Sequence, residues 1–345
     1  MTPNFRGKTI ALIGGAGFIG HHLALALSRA DAKVAVVDSL QVNNLLAMSS
    51  ALEEVPNREL YLRMLGERLE LLRRSAIQLY PQDARDYHAL SRILDTVRPD
   101  VVVHLAAVAH AGRSNKTPFS TFDHSLRTLE NALDWARDSG LERFVFFSSS
   151  MVYGNFQTET VGEDHPLEPI GIYGALKLGG EKLVIAYNQV FGLPYTIVRP
   201  SALYGPRCVS RRVGQVFIES ALEGRPLRIE GDGSERLDFT HIDDLVAGIA
   251  LVIARPEAKN QIFNLTYGQA RSVQELAEIV QDHFPAIAIE RGKRPDLMPT
   301  RGTLAIAKAA QLLGYQPAHP LEVGIPRYIA WYRTLVSGAP QEEAV

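Results

Sequence analysis

Thr9-Ile10-Ala11-Leu12-Ile13-Gly14-Gly15-Ala16-Gly17-Phe18-Ile19-Gly20 is the stretch that decides the fold. A short apolar run ends in glycines, and from Phe18 to Ala30 the apolar residues recur at helical spacing, so it reads strand, tight turn, helix. In that setting Gly14, Gly15, Gly17 and Gly20 permit a sharp turn, let backbone N–H groups approach a pyrophosphate, and let the helix pack closely on the strand. The helix N-terminus at Phe18 and Ile19 favours the negative charge. The segment therefore predicts a dinucleotide site.

Working outward, buried-type runs follow at Val34–Val37, Val101–Leu105, Phe144–Ser148 and Tyr195–Val198, each separated by a helix-length segment. That alternation predicts an α/β fold, a Rossmann-type doubly wound parallel sheet. The character changes after Tyr204, where a helix over Arg212–Leu222, a strand over Leu227–Glu230, a turn at Gly231-Asp232-Gly233 and a helix over Ser272–His283 are expected. The expected organisation is a dinucleotide-binding domain over 1–200 with 239–266 returning to it. A smaller, discontinuous substrate lobe is expected over 201–238 and 267–336, and a frayed tail over 337–345. Between Asp38 and Asp83 lies an insertion whose 57–75 segment reads as a charged amphipathic helix. It is expected to be a solvated or oligomer-packing face, with a lid or partner site as the alternative.

The 345 residues, 46% hydrophobic and 21% charged, suffice to bury a full core. Lys+Arg 36 against Asp+Glu 38 leaves a net charge of −2, which gives no reason to expect nucleic acid as a partner. The single cysteine, Cys208, excludes an internal disulfide framework and offers no metal-ligand cluster, so no metal is expected and a reducing cytoplasm fits. No apolar run approaches the roughly 18 residues of a membrane helix, so no membrane association is expected.

Asp38 closes the second strand and places a carboxylate where it accepts from both hydroxyls of an adenosine ribose while repelling a 2′-phosphate, which predicts NAD rather than NADP. Tyr173 and Lys177 stand at i and i+4, one above the other on a helix face. A tyrosine is a poor base at neutral pH, and a neighbouring ammonium favours its phenolate, so Lys177 is expected to lower the Tyr173 pKa.

These features and others along nearly the whole chain resemble the extended short-chain dehydrogenase/reductase family, specifically its NAD-dependent nucleotide-sugar epimerases and dehydratases. The shared elements are Gly14 to Gly20, Asp83-Ala84-Arg85-Asp86, His104-Leu105-Ala106-Ala107, Ser149 to Gly154 and the Tyr173/Lys177 dyad. Arg199-Pro200, Tyr204-Gly205-Pro206 and Asp238 to Asp244 complete the set. The resemblance implies that Asp83, with Ala84 beside it, contacts adenine, that Leu105, Ala106 and Ala107 line the cofactor cleft, and that Lys177 also binds the nicotinamide ribose. It further implies catalysis by Ser149, Tyr173 and Lys177: the tyrosine takes a proton from a sugar hydroxyl that Ser149 orients, while hydride passes to NAD. A homodimer formed through helices near 120–137 and 173–190 is also implied.

Position 151 bears on the reaction. Family members that eliminate water or carbon dioxide place a proton-transfer residue there, and here it is Met151, whose thioether cannot carry a catalytic proton. A 4-epimerase, an isomerase working through a transient 4-keto sugar, is therefore the leading expectation. A dehydratase or decarboxylase, with His110 supplying the acid, is the alternative, and a non-catalytic NAD-binding interaction protein is a third. On the substrate side the resemblance places His110, Ser114, Ser150, Met151, Tyr153 and Ser201 near the sugar. Arg207, Arg212, Arg236 and Arg294 would meet a nucleotide diphosphate or a sugar carboxylate, and Arg294 with Asp296, also expected on the substrate side, resembles the family's Arg-Pro-Gly-Asp element with one residue missing. Ala202, Leu237 and Ser125 stand where relatives commonly carry polar or basic groups, so the cofactor half is conventional and the sugar half is not.

Overall fold

The computed structural model describes residues 3–49, 55–108, 111–295 and 297–338. Seven strands form the central sheet: β1 Thr9–Ile13, β2 Lys33–Val37, β3 Gln78–Tyr80, β4 Val101–His104, β5 Arg143–Phe147, β6 Tyr195–Arg199 and β7 Gln261–Asn264. Their order is β7-β6-β5-β4-β1-β2-β3 and every pairing is parallel. The strands are apolar almost throughout because helices cover both faces. Within β1 the two-residue period is visible: Ile10 and Leu12 join one core with Val36 and Val103, whereas Ala11 and Ile13 join the other with Val102 and Phe144. Chain order reverses between β1 and β4, and in an open α/β sheet that reversal opens a crevice at the carboxyl ends of the strands.

A third core lies outside the sheet, where Phe217, Ile218, Leu276, Val280, Ile325, Tyr328 and Tyr332 pack together. The inserted helix, Arg58–Arg74, belongs to this core. Tyr61, Met64 and Leu65 are fully buried in it, so the expectation of a solvated or oligomer-packing face is corrected. Most charges on its sequence, Arg63, Arg73 and Arg74 among them, occupy the opposite stripe of the helix, but Arg68 is buried.

A buried carboxylate holds this join. Glu219 accepts from Tyr61 Oη at 2.7 Å, Tyr332 Oη at 2.8 Å, Gln215 Nε2 at 2.9 Å and Asn57 Nδ2 at 3.0 Å. Four donors satisfy an ionised carboxylate, which makes its burial tolerable. The C-terminal helix runs over Leu321–Ser337, and most of the tail expected over 337–345 lies outside the described residues. Among the described residues no helix is long and apolar enough to cross a membrane.

Candidate active site

The crevice over β1, β2 and β4 is lined by the glycine loop, by Asp38, by Asp83 and Ala84, and by Leu105, Ala106 and Ala107. The loop is shaped by contacts that exclude side chains. A Cβ on Gly14, which has φ +81°, would lie 2.7 Å from the Ala106 nitrogen, and one on Gly20 would lie 2.5 Å from Gly15 Cα. Gly15 does not line the crevice; a Cβ there would meet Leu12 and Val36, so it serves packing. Gly17 caps the helix Phe18–Arg29 without a side-chain hydrogen bond, and Gly17, Phe18 and Ile19 all face the crevice. These donors and the absence of Cβ atoms fit a dinucleotide diphosphate.

Asp38 has a second task that the sequence did not reveal. Its Oδ2 accepts from Ala16 N at 2.9 Å and its Oδ1 from Leu40 N at 2.7 Å, which ties the loop to the end of β2. Burial pushes its carboxyl up, against these two bonds. Two of its four acceptor positions remain for ribose hydroxyls. Asp83 is gripped by Arg85 at 2.6 Å, and the bond keeps its carboxyl low despite partial burial.

The three residues of the implied chemistry, Ser149, Tyr173 and Lys177, are not among those that line this crevice. Ser149 follows β5 and begins a short 3-10 turn, where its Oγ accepts from Met151 N at 3.2 Å. Tyr173 and Lys177 lie on the helix Gly171–Phe191. The helix approaches closely because Gly174 passes Met151, where a Cβ would be 2.6 Å from the Met151 carbonyl oxygen. Burial pushes the Tyr173 pKa up, and the Ser149 side chain and the charge of Arg212 pull it down. Arg212 is thus a cation acting on the phenol.

Lys177 instead donates from Nζ to the Phe147 carbonyl at 2.6 Å and lies over the Phe146 ring. Burial lowers its pKa to about 8, and Glu181 opposes the drop. One helical turn on, Glu181 is buried with Arg199, accepting from Nη2 at 2.7 Å and Nε at 2.8 Å, and it accepts from Ser148 Oγ at 2.5 Å. The pair locks the Tyr173 helix to β5 and β6.

The substrate side departs furthest from expectation. Tyr153 is fully buried, and its Oη donates to Asn264 Oδ1 at 2.7 Å and accepts from Arg199 Nη1 at 2.9 Å. It is an interior packing residue, not a substrate contact. Ser114, Ser150 and Ser201 are likewise buried. Arg207 is held by Glu67 of the inserted helix at 3.2 Å and lies over Trp331, so its guanidinium is engaged away from the role expected of it.

Arg236 is exposed and donates to the Ala270 carbonyl; Arg294 is exposed and donates to the Met298 carbonyl. His110 and Asp296 lie outside the described residues. Arg212 lines the crevice with Ser210. Arg301, which the sequence reading missed, brings Nη1 to 3.9 Å from Met151 Sδ while its Nη2 holds Glu235 at 3.1 Å. No local pattern marks Arg301, because its position depends on strand pairing between Thr303–Leu304 and Thr160–Val161.

Residues 10–266 match the sequence model of the family described as "NAD dependent epimerase/dehydratase family". An uncharacterized UDP-glucose epimerase of Bacillus subtilis, YtcB, is 33% identical over 95% of this chain and 99% of its own. A dTDP-glucose 4,6-dehydratase of Actinoplanes is 30% identical over 94% of this chain and 97% of its own. Among solved structures, the UDP-glucuronic acid 4-epimerase from Bacillus cereus in complex with UDP-glucuronic acid and NAD superposes with a TM-score of 0.83. It is 26% identical and covers 95% of this chain and 99% of its own. The match extends over well more than half of the chain, and it agrees with the glycine loop, the Asp38 position and the doubly wound sheet. The protein therefore belongs to the NAD-dependent epimerase/dehydratase family, with NAD as its cofactor.

Proposed function

We propose that the protein is a nucleotide-sugar 4-epimerase, with Ser149, Tyr173 and Lys177 as its catalytic residues. The observation that carries this reading is that Ser149, whose side chain acts to lower the Tyr173 pKa, stands two residues before a thioether rather than an acid at position 151. NAD held in the crevice would supply a reversible hydride acceptor for C4, which is what inversion there requires. Tyr173 Oη removes the C4 hydroxyl proton and later restores it, and Ser149 Oγ, fixed by the Met151 N–H, orients the sugar oxygen. Lys177 holds the nicotinamide ribose, and Arg212 favours the phenolate.

Elimination of water needs a further acid and base at the neighbouring carbons. Met151 Sδ and the ion-paired Arg301, which lie against each other, supply neither. Arg212 and Arg301 are both cationic, and each has a buried Nε without a hydrogen-bond partner, which suits the anionic groups of a nucleotide sugar.

A homodimer in the cytoplasm completes the reading. Phe119, Phe122, Val190 and Phe191 are exposed large hydrophobics on or beside the two helices expected to pair. Cys208 is a free buried thiol, as suits a reducing compartment.

The experiment is incubation with UDP-glucose, UDP-glucuronate and dTDP-glucose, followed by chromatography and mass spectrometry. A C4 epimer of unchanged mass is expected; loss of water or carbon dioxide, or net NADH release, refutes the proposal.

A further inference from the structure

The NAD crevice has a wall that the glycine loop does not explain. Arg68, on the inserted helix, lines the crevice together with Gly17, Phe18 and Ile19 at the helix N-terminus and with Asp38, although it is only 1% exposed. With Arg199 it is one of the two largest fully buried side chains in the described part of the chain. Its Nε donates to the Arg207 carbonyl at 3.1 Å, and Nη2 donates to the same oxygen. Nη1 is buried and has no hydrogen-bond partner.

A neutral carbonyl does not balance a buried guanidinium, and the charged groups around it do so poorly. Asp38 supports the charge, but Arg207 opposes it, and burial lowers the Arg68 pKa to about 10. The Arg68 charge in turn helps to keep the buried His21 and His22 neutral. A buried cation without a close counter-ion costs several kcal/mol, so a position like this calls for an anion. The anion that this crevice receives is the cofactor's diphosphate, directed by the helix N-terminus to the residues that Arg68 joins in lining the wall.

We propose that Arg68 is a cofactor-binding residue, a guanidinium clamp that the inserted helix brings to the diphosphate of NAD. The insertion thereby does more than brace the third core. The grip of Arg68 on the Arg207 carbonyl also ties the cofactor's phosphates to the segment that carries Ser210 and Arg212. The inference rests on NAD as cofactor and not on the 4-epimerase reading, so it stands or falls separately.

The test uses the full chain depleted of NAD, as wild type and as Arg68→Met, which fills the same space without charge. NAD, ADP, adenosine and UDP are titrated calorimetrically. A charge-assisted contact predicts that the Kd for NAD and for ADP rises at least about tenfold, while adenosine and UDP each stay within about twofold of wild type. The melting temperature of cofactor-free Arg68→Met is expected to equal or exceed that of wild type, because an unpaired buried charge is gone.

Unchanged ADP affinity overturns the proposal. So does an equal loss for adenosine, which would mean collapse of the pocket, or a loss confined to UDP, which would assign Arg68 to the substrate's diphosphate. If Arg68→Met does not fold, Arg68→Lys carries the same titrations: a loss specific to ADP and NAD supports the clamp, and wild-type ADP affinity overturns it.

Discussion

Glu181→Gln separates what holds the active-site helix from what sets its electrostatics. Both members of the Glu181–Arg199 pair are 1% exposed, and the carboxylate takes two bonds from Arg199 and one from Ser148. The amide keeps the shape but removes the charge, leaving Arg199 with one amide oxygen, the Tyr153 hydroxyl and the Glu163 carbonyl as acceptors. Removing one partner of a buried pair costs about 3–5 kcal/mol, to be read in urea-induced unfolding at neutral pH.

A second consequence follows through Lys177. Glu181 raises the Lys177 pKa, which stands at about 8, so the variant's lysine must lose its proton at lower pH. The proposed ribose contact of Lys177 is made by its ammonium, so the alkaline limb of kcat/KM is expected at lower pH in the variant than in wild type.

The sign for stability is the reverse. Because burial holds the Lys177 pKa below its ordinary 10.5, the charged form is disfavoured in the fold, and this group's penalty is lifted as pH rises from about 8 to 10.5. Activity and this contribution to stability therefore change in opposite directions across that window. A variant within about 1 kcal/mol of wild type would refute the account of the buried pair. An unmoved alkaline limb would refute its coupling to Lys177.

Gly14→Ala forces a Cβ to 2.7 Å from the Ala106 backbone at φ +81°, so the purified variant is expected to contain little NAD, checked by absorbance of the acid extract. A wild-type NAD content would show that the loop yields more than its packing implies. Leu65→Ala opens a cavity in the third core, where Leu65 is fully buried, and is expected to lower unfolding free energy by about 2–5 kcal/mol. If the inserted helix were a solvated face, the loss would fall within about 0.5 kcal/mol.

How much of this was legible in the sequence divides along range. The glycine loop, the strand ends and the Tyr173/Lys177 spacing are local features: a turn of a given sharpness needs glycine within a few residues, and i and i+4 share a helix face whatever surrounds them. β1 and the strand at Leu227–Glu230 lie where the apolar runs place them, and the helix at Ser272–His283 starts only one residue later, at Val273, with Ser272 as its cap. The inserted helix was legible as a helix, but its amphipathic pattern says only that one stripe is apolar and not what covers it.

The arginines show the limit most clearly. Arg207, Arg212 and Arg236 are near one another in sequence, yet one is held by Glu67, one lines the crevice and one is exposed. Arg68 and Arg301, which no motif marked, reach the sites that matter. A long side chain has several directions open to it, and the counter-charges that choose among them come from distant segments. The sequence by itself determined the doubly wound sheet, the NAD loop and the identity of the dyad, because each depends on short-range backbone geometry. Only the tertiary structure decided which cations face the crevice, why Tyr153 is interior and where Glu219 finds its donors, because burial and pairing are properties of segments brought together by folding.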